Sequence, residues 1–285
     1  MARSFLAISE QIEADGIARQ LSAYRSNQAG KSGGGLGIPI TYLCAIQADE
    51  LPKMRDQGLL RSFFPLTARL VSSSWVQLTQ DYFERHPVRQ FHFRQCAREF
   101  LSYLTASSGT LKSKFPHLAD LADLEYAQLE VSRRSAGKQA GEYVSPRSTD
   151  ELNYFCPVVN PSLEIRSYSY PMPAIIHRLK NRISLPEKIS QATTHMVIYR
   201  NPASGAVDLL ELSGVVARLV TTARQAPLSY TKLIEMTAPL CRQTDTVEAI
   251  VAILELVDKL QDCGIFIGST RCSSRTDRAA CEPAG

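Results

Sequence analysis

Residues 195–212 read His-Met-Val-Ile-Tyr-Arg-Asn-Pro-Ala-Ser-Gly-Ala-Val-Asp-Leu-Leu-Glu-Leu, two apolar, β-branched runs on either side of a turn-rich linker. Pro202 fixes φ, and Gly205 can supply positive φ where the chain reverses. The stretch predicts an antiparallel hairpin with strands at about 195–201 and 206–212. A lone hairpin is marginal in water and needs a layer to pack against. Three amphipathic segments come directly after it, and no further long strand.

Those segments predict helices at 213–224, 228–240 and 244–262. Ser213 and Ser229 are candidate N-caps. In the third helix Val247, Ile250, Val251, Leu254, Val257 and Leu260 recur at i, i+3, i+4, i+7, and Gly264 comes after them as the C-cap glycine. Upstream, 149–155 reads as a short helical or extended piece, and Pro157 and Pro161 bracket the next passage. Leu163–Tyr170 alternates as one strand, closed by Pro171-Met172-Pro173, with a helical turn expected over 174–180. Ile265-Phe266-Ile267 is a short buried β piece, and the Ser- and Arg-rich stretch from 269 to 285 is expected to be a disordered tail. Residues 151–268 thus predict three strands and three helices in winged-helix order.

The other half lacks strand patterning. Helical spacing appears over 5–26, 50–70 (with a bend at Pro65), 73–85, 93–105 and 115–134, and a short apolar piece spans 39–48. Pro116 fits a first turn, and Asp120, Asp123 and Glu125 read as dipole-matched, capping or solvated carboxylates rather than metal ligands. Residues 135–150 lose apolar periodicity and form the candidate linker. The fold class expected is α+β, mostly α: an all-α domain at 1–134, then the three-strand, three-helix domain at 151–268.

Several function classes are disfavoured. The net charge of +4, from 32 basic and 28 acidic residues, is far from the footprint of a dedicated nucleic-acid binder. No apolar run approaches the roughly 20 residues of a membrane span, and the N-terminus turns acidic too early for a secretory signal. A cytosolic chain with reduced, partly buried thiols is expected. The seven cysteines never form Cys-x-x-Cys, so a zinc site lacks its paired ligands. Gly30-Lys31-Ser32 resembles the end of a phosphate-binding loop, but position 25 is arginine and glycines stand where a helix is required, so 30–37 reads as a flexible surface loop. His86, His92, His117, His177 and His195 show no His-x-x-x-His or Glu-x-x-His grouping, which weakens a stand-alone metalloenzyme.

Two blocks of residues together resemble one family. Phe83-x-x-His86-Pro87, Phe100-x-x-Tyr103-Leu104 and Phe115-Pro-His-Leu-Ala-Asp-Leu-Ala-Asp-Leu-Glu-Tyr-Ala127 resemble the helical domain of the partner subunits of multinuclear non-haem iron peptide-modifying enzymes, the TglI-like and MbnC-like group. Val197-Ile-Tyr-Arg200, Gly205-x-Val207-x-x-Leu210-x-Leu212-Ser213, Val251-x-x-Leu254 and Leu256–Gly264 resemble leader-recognition domains of the PqqD type. The resemblance spans about 70–268; the glycine-rich loop and the Ser/Arg tail depart from it.

This resemblance implies a non-catalytic subunit with no cofactor of its own. Its partners would be a TIM-barrel multinuclear iron enzyme, which carries the iron, and the leader of a ribosomally made precursor peptide. In the 3-thiaglutamate and methanobactin cases the peptide presented is cysteine-containing. It further implies that the leader lies beside the third strand and third helix, here Ala206, Val207, Asp208, Leu209, Leu210, Glu211 and Leu212 with Val247, Ile250, Val251 and Leu254. Alternation separates Val207, Leu209 and Glu211 from Asp208, Leu210 and Leu212 and leaves open which set faces the groove. The alternative is a winged-helix DNA-binding regulator. Against it, the third helix carries Asp245, Glu248, Glu255, Asp258 and Asp262 beside one Lys259, the wrong sign for phosphate contact.

Overall fold

A computed structural model describes residues 58–86, 93–106, 110–135, 150–237 and 255–272. The expectations for 5–26, 30–37, 39–48, most of the linker and the end of the tail lie outside the described residues, as do Val247, Ile250, Val251 and Leu254. The architecture is α+β and mostly helical, with small sheets in the C-terminal region. The chain divides into two compact units: one takes the described residues within Arg134–Ile165 and Val197–Gly285, the other those within Arg19–Arg133 and Arg166–Met196.

The helical unit begins with α1 (Leu59–Phe63) and α2 (Pro65–Leu70). The break expected at Pro65 is there: Phe64 leaves the helical region, and Pro65 opens the next helix where no N–H is needed. Then come α3 (Trp75–Arg85), α4 (Phe93–Ala106), α5 (Thr110–Lys114), α6 (Leu118–Ser132) and α7 (Met172–Lys180). Phe64, Trp75, Tyr82 and Phe100 are fully buried. Their rings meet edge-on or tilted around Phe100, at centroid distances of 5.3 Å to Phe64, 5.7 Å to Trp75 and 5.1 Å to Tyr82. These are the favoured aromatic geometries, and they explain the aromatic spacing of α3 and α4.

Helix α6 starts at Leu118 with His117 as N-cap, so Pro116 precedes the first turn instead of occupying it. Asp120 lies in the first turn, as the dipole reading expects, and Asp120 and Asp123 are half-buried, but both carboxylates and that of Glu125 also bond to other segments. Asp120 accepts from the backbone N–H of Ser169 at 3.0 Å, and Asp123 accepts from the Tyr168 hydroxyl at 2.9 Å. Glu125 is buried and caps a different helix: its carboxylate accepts from the N–H groups of Leu66 (2.6 Å) and Thr67 (2.9 Å) and from the Thr67 hydroxyl (2.7 Å). Phe64 offers α2 no side-chain cap, so Glu125 answers two donors that a helix start leaves orphaned. Burial pushes the Glu125 carboxyl up to about 7, against these hydrogen bonds, which favour the ion.

The sheets are β1 (Phe155–Val159) paired antiparallel with β5 (Phe266–Arg271), and a three-stranded sheet ordered β2 (Glu164–Tyr168), β3 (Thr194–Arg200), β4 (Val207–Leu212). Helices α8 (Gly214–Gln225) and α9 (Tyr230–Thr237) come next, and residues 255–262 are helical. Ser213 caps α8, its side chain accepting from Val216 N–H at 3.4 Å, and Ser229 accepts likewise from Lys232 N–H at 3.4 Å. Among the described residues the strand and helix order read from the sequence is kept, with only 255–262 of the third expected helix described, and the second sheet is additional. Strand β1 carries Pro157, a residue that argues against a central strand yet is tolerated in a two-stranded sheet with open edges. Pairing with β1 extends β5 to Arg271, past the point where the tail was expected to lose order.

That pairing also corrects the reading of the cysteines. Cys156 and Cys272 are bonded, their Cα atoms 5.5 Å apart across 116 residues of sequence, while Cys96 and Cys263 are buried and not disulfide-bonded. Among the described residues no helix is long and apolar enough to cross a membrane, and no three His, Cys, Asp or Glu residues are grouped to hold a metal ion.

Candidate functional site

Strand β3 is buried almost throughout: Met196, Val197, Ile198 and Tyr199 are each 2 % exposed or less. A strand with both faces covered reads as a continuous apolar run, and that is the text of this segment. Strand β4 behaves differently. Asp208, Leu210 and Leu212 are buried, while Val207, Leu209 and Glu211 are half-buried and Ala206 is exposed. The structure therefore resolves the two sets that alternation left equivalent. Leu210 and Leu212 belong to the core, β4 and β1 both pack against α8, and Val207, Leu209 and Glu211 form the accessible side.

The turn between the strands is built from its own polar groups. Asn201 N–H donates to the Ala206 carbonyl (2.8 Å), and Gly205 N–H donates to the Asn201 carbonyl (2.8 Å). The Asn201 side chain accepts from Ala203 N–H (2.9 Å) and Ser204 N–H (3.2 Å) and donates to Asp208 (2.8 Å). Asp208 is thus a turn anchor, buried because Asn201 pairs it. Gly205 has φ of +68°, the left-handed conformation its place in the turn required.

A second set of residues fixes the hairpin, and sequence reasoning passed over it. Asn160 is 1 % exposed and uses its full hydrogen-bonding capacity. Its amide donates to the carbonyls of Arg200 and Gly264, each at 2.9 Å, and its oxygen accepts from the N–H (3.0 Å) and hydroxyl (2.6 Å) of Ser162. Arg200 N–H donates in turn to Ser162 Oγ at 2.8 Å. The last residue of β3 is held from both sides just before the turn. The available signal was Asn160-Pro161-Ser162, a turn tripeptide whose polar ends satisfy nearby backbone.

Within the described residues the three-stranded sheet has two edges, β2 and β4. The end of β2 is partly engaged: beyond Tyr168, Ser169 N–H donates to Asp120 at 3.0 Å. Strand β4 has no strand on its outer side among the described residues. An unpaired edge presents a row of alternating N–H and C=O groups that another extended chain can complete. No curated protein matches the chain. Residues 160–261, which contain β2, β3, β4, α8 and α9, match the family described as the HvfC C-terminal domain.

Proposed function

We propose that this chain is a non-catalytic partner subunit that captures the leader of a ribosomally made precursor peptide along the outer edge of β4. It presents the peptide's core, a cysteine-containing C-terminus, to a TIM-barrel multinuclear iron oxygenase, as TglI-like and MbnC-like partners do. The iron resides in that enzyme, and this chain contributes no cofactor. The observation that carries the reading is the outer β4 edge, which no strand covers among the described residues, with Val207, Leu209 and Glu211 on its accessible side, inside the region similar to the HvfC C-terminal domain. Backbone pairing supplies register, and pockets beside alternate side chains supply selectivity. Tethering the leader raises the effective concentration of the core at the enzyme, so the leader contact need not be tight.

Neighbouring residues of a strand aim their N–H groups to opposite sides, so a proline pair provides its own control. Of Leu209→Pro and Leu210→Pro, one removes an outward N–H and the other breaks a bond to β3. The variant that keeps its circular dichroism and thermal midpoint is expected to bind the leader about tenfold more weakly, near the worth of one lost hydrogen bond. Unchanged leader affinity in that folded variant sinks the edge assignment. Failure of the unmodified chain to bind either the iron enzyme or the precursor in a pull-down removes the whole reading.

A further inference from the structure

The segment that ends α7 carries a feature that packing leaves unexplained. Its last turn closes with two hydrogen bonds: Ile183 N–H donates to the Arg178 carbonyl at 2.8 Å, and Arg182 N–H donates to the Leu179 carbonyl at 3.3 Å. This is the six-to-one and five-to-two pattern of a Schellman cap, and it puts Arg182 at the left-handed position with φ of +58°. Glycine adopts that conformation freely and is the usual occupant; arginine is strained there. The residue after it is normally packed back onto the helix, yet Ile183 is 45 % exposed.

The surroundings share one sign. Residues 177–188 hold His177, Arg178, Lys180, Arg182 and Lys188 against one carboxylate, Glu187. The helix macrodipole accounts for His177, Arg178 and Lys180, which lie in the last turn. It does not account for Arg182 and Lys188, which lie beyond the helix, are exposed, and take part in no ion pair among the described residues. The turn holding Arg182 is built rather than loose: Arg178 donates to the Ser184 carbonyl at 2.8 Å, and the Asn181 side chain donates to the His177 carbonyl at 2.9 Å. Below them, the Arg69 guanidinium donates to the Leu179 carbonyl.

We infer that Lys180, Arg182 and Lys188, with Ile183 exposed among them, form a docking surface for an acidic face of a protein partner that also offers an apolar depression. Resting on the proposed function, that partner is the iron enzyme itself. The surface then holds the enzyme by a site distinct from the β4 edge that takes the leader. An apolar side chain within a cationic rim fits a protein interface, where charges steer and the buried residue anchors. A nucleic acid would gain little from Ile183.

The test measures affinity between the full-length chain and the purified iron enzyme at two salt concentrations. The variants are Arg182→Gly, Arg182→Lys and the charge reversal Lys180→Glu/Arg182→Glu/Lys188→Glu. Arg182→Gly is expected to raise the thermal midpoint while weakening enzyme binding about three- to tenfold. Arg182→Lys keeps charge and strain, and is expected to retain binding to within about twofold. The charge reversal is expected to lose at least about thirtyfold and most of the salt dependence, with leader affinity unchanged. Enzyme affinity that ignores all three variants overturns the inference while leaving the leader-capture reading intact. Absence of any binding by the unmodified chain overturns both. Binding to single-stranded DNA that changes with the same substitutions overturns the assignment to a protein partner.

Discussion

Glu125 is the residue whose role depends most on where it is folded. Its carboxylate caps α2 from α6, so replacing it removes an acceptor from two backbone donors at once. In Glu125→Gln the amide nitrogen must face one of those N–H groups, and a loss of about 1–3 kcal/mol is expected in urea titrations. The pH dependence comes from the raised carboxyl, moved from 4.5 to about 7 by burial. Between those values the folded chain keeps a proton that the unfolded chain has released. This group's contribution is therefore fully present below about pH 4.5 and is lost as pH rises through about 7. The stability difference between the unmodified chain and Glu125→Gln is expected to narrow over that window; a difference that widens would mean the three donors outweigh burial. The sequence displayed Asp120, Asp123 and Glu125 clearly, and helix-dipole logic gave them a local role. Their real partners lie on segments 45 to 59 residues away, a separation that periodicity does not encode.

At the scale of elements, the end of the 255–262 helix is registered against the hairpin turn. Gly264 has φ of +79°, and a Cβ there would lie 2.6 Å from Pro202 Cδ. Left-handed strain and collision with a proline ring both oppose a side chain at this position. Gly264→Ala is expected to cost about 2 kcal/mol or more, read as a lower midpoint in thermal denaturation. A neutral result would show that the turn can move away from the helix. The glycine was legible as a C-cap, since it ends an apolar i, i+3, i+4 pattern. Its contact with Pro202 was not, because it depends on bonds from the distant Asn160 to Arg200, Gly264 and Ile265 that bring the two loops together. Helix α6 is a parallel case: eight of its residues are buried, including Glu125, so it is a core helix enclosed on several faces.

For the molecule as a whole, the covalent link between Cys156 and Cys272 closes 116 residues of chain. A cross-link over a loop of that length stabilises chiefly by restricting the unfolded chain, by about 2–4 kcal/mol. Reductant is expected to lower the thermal midpoint of the unmodified protein and to leave Cys156→Ser/Cys272→Ser unchanged. An intact mass that does not increase by two hydrogen atoms on reduction would show that the bond is not made in solution. The division into units is likewise a tertiary fact, since Arg166–Met196 groups with helices that precede it by dozens of residues.

The sequence by itself determined the local vocabulary: a hairpin with a glycine turn, caps at Ser213 and Gly264, a helix break at Pro65, and an α+β chain dominated by helix. These are short-range matters of dihedral preference and hydrophobic period, written within a few residues. Tertiary structure alone decided which side of β4 stays accessible, that β5 pairs with β1, that Asn160 holds the hairpin, and that Glu125 caps a helix other than its own. Each of these depends on which distant backbone groups arrive to satisfy a buried donor or acceptor. That is settled by packing the whole chain, not by the order of residues along it.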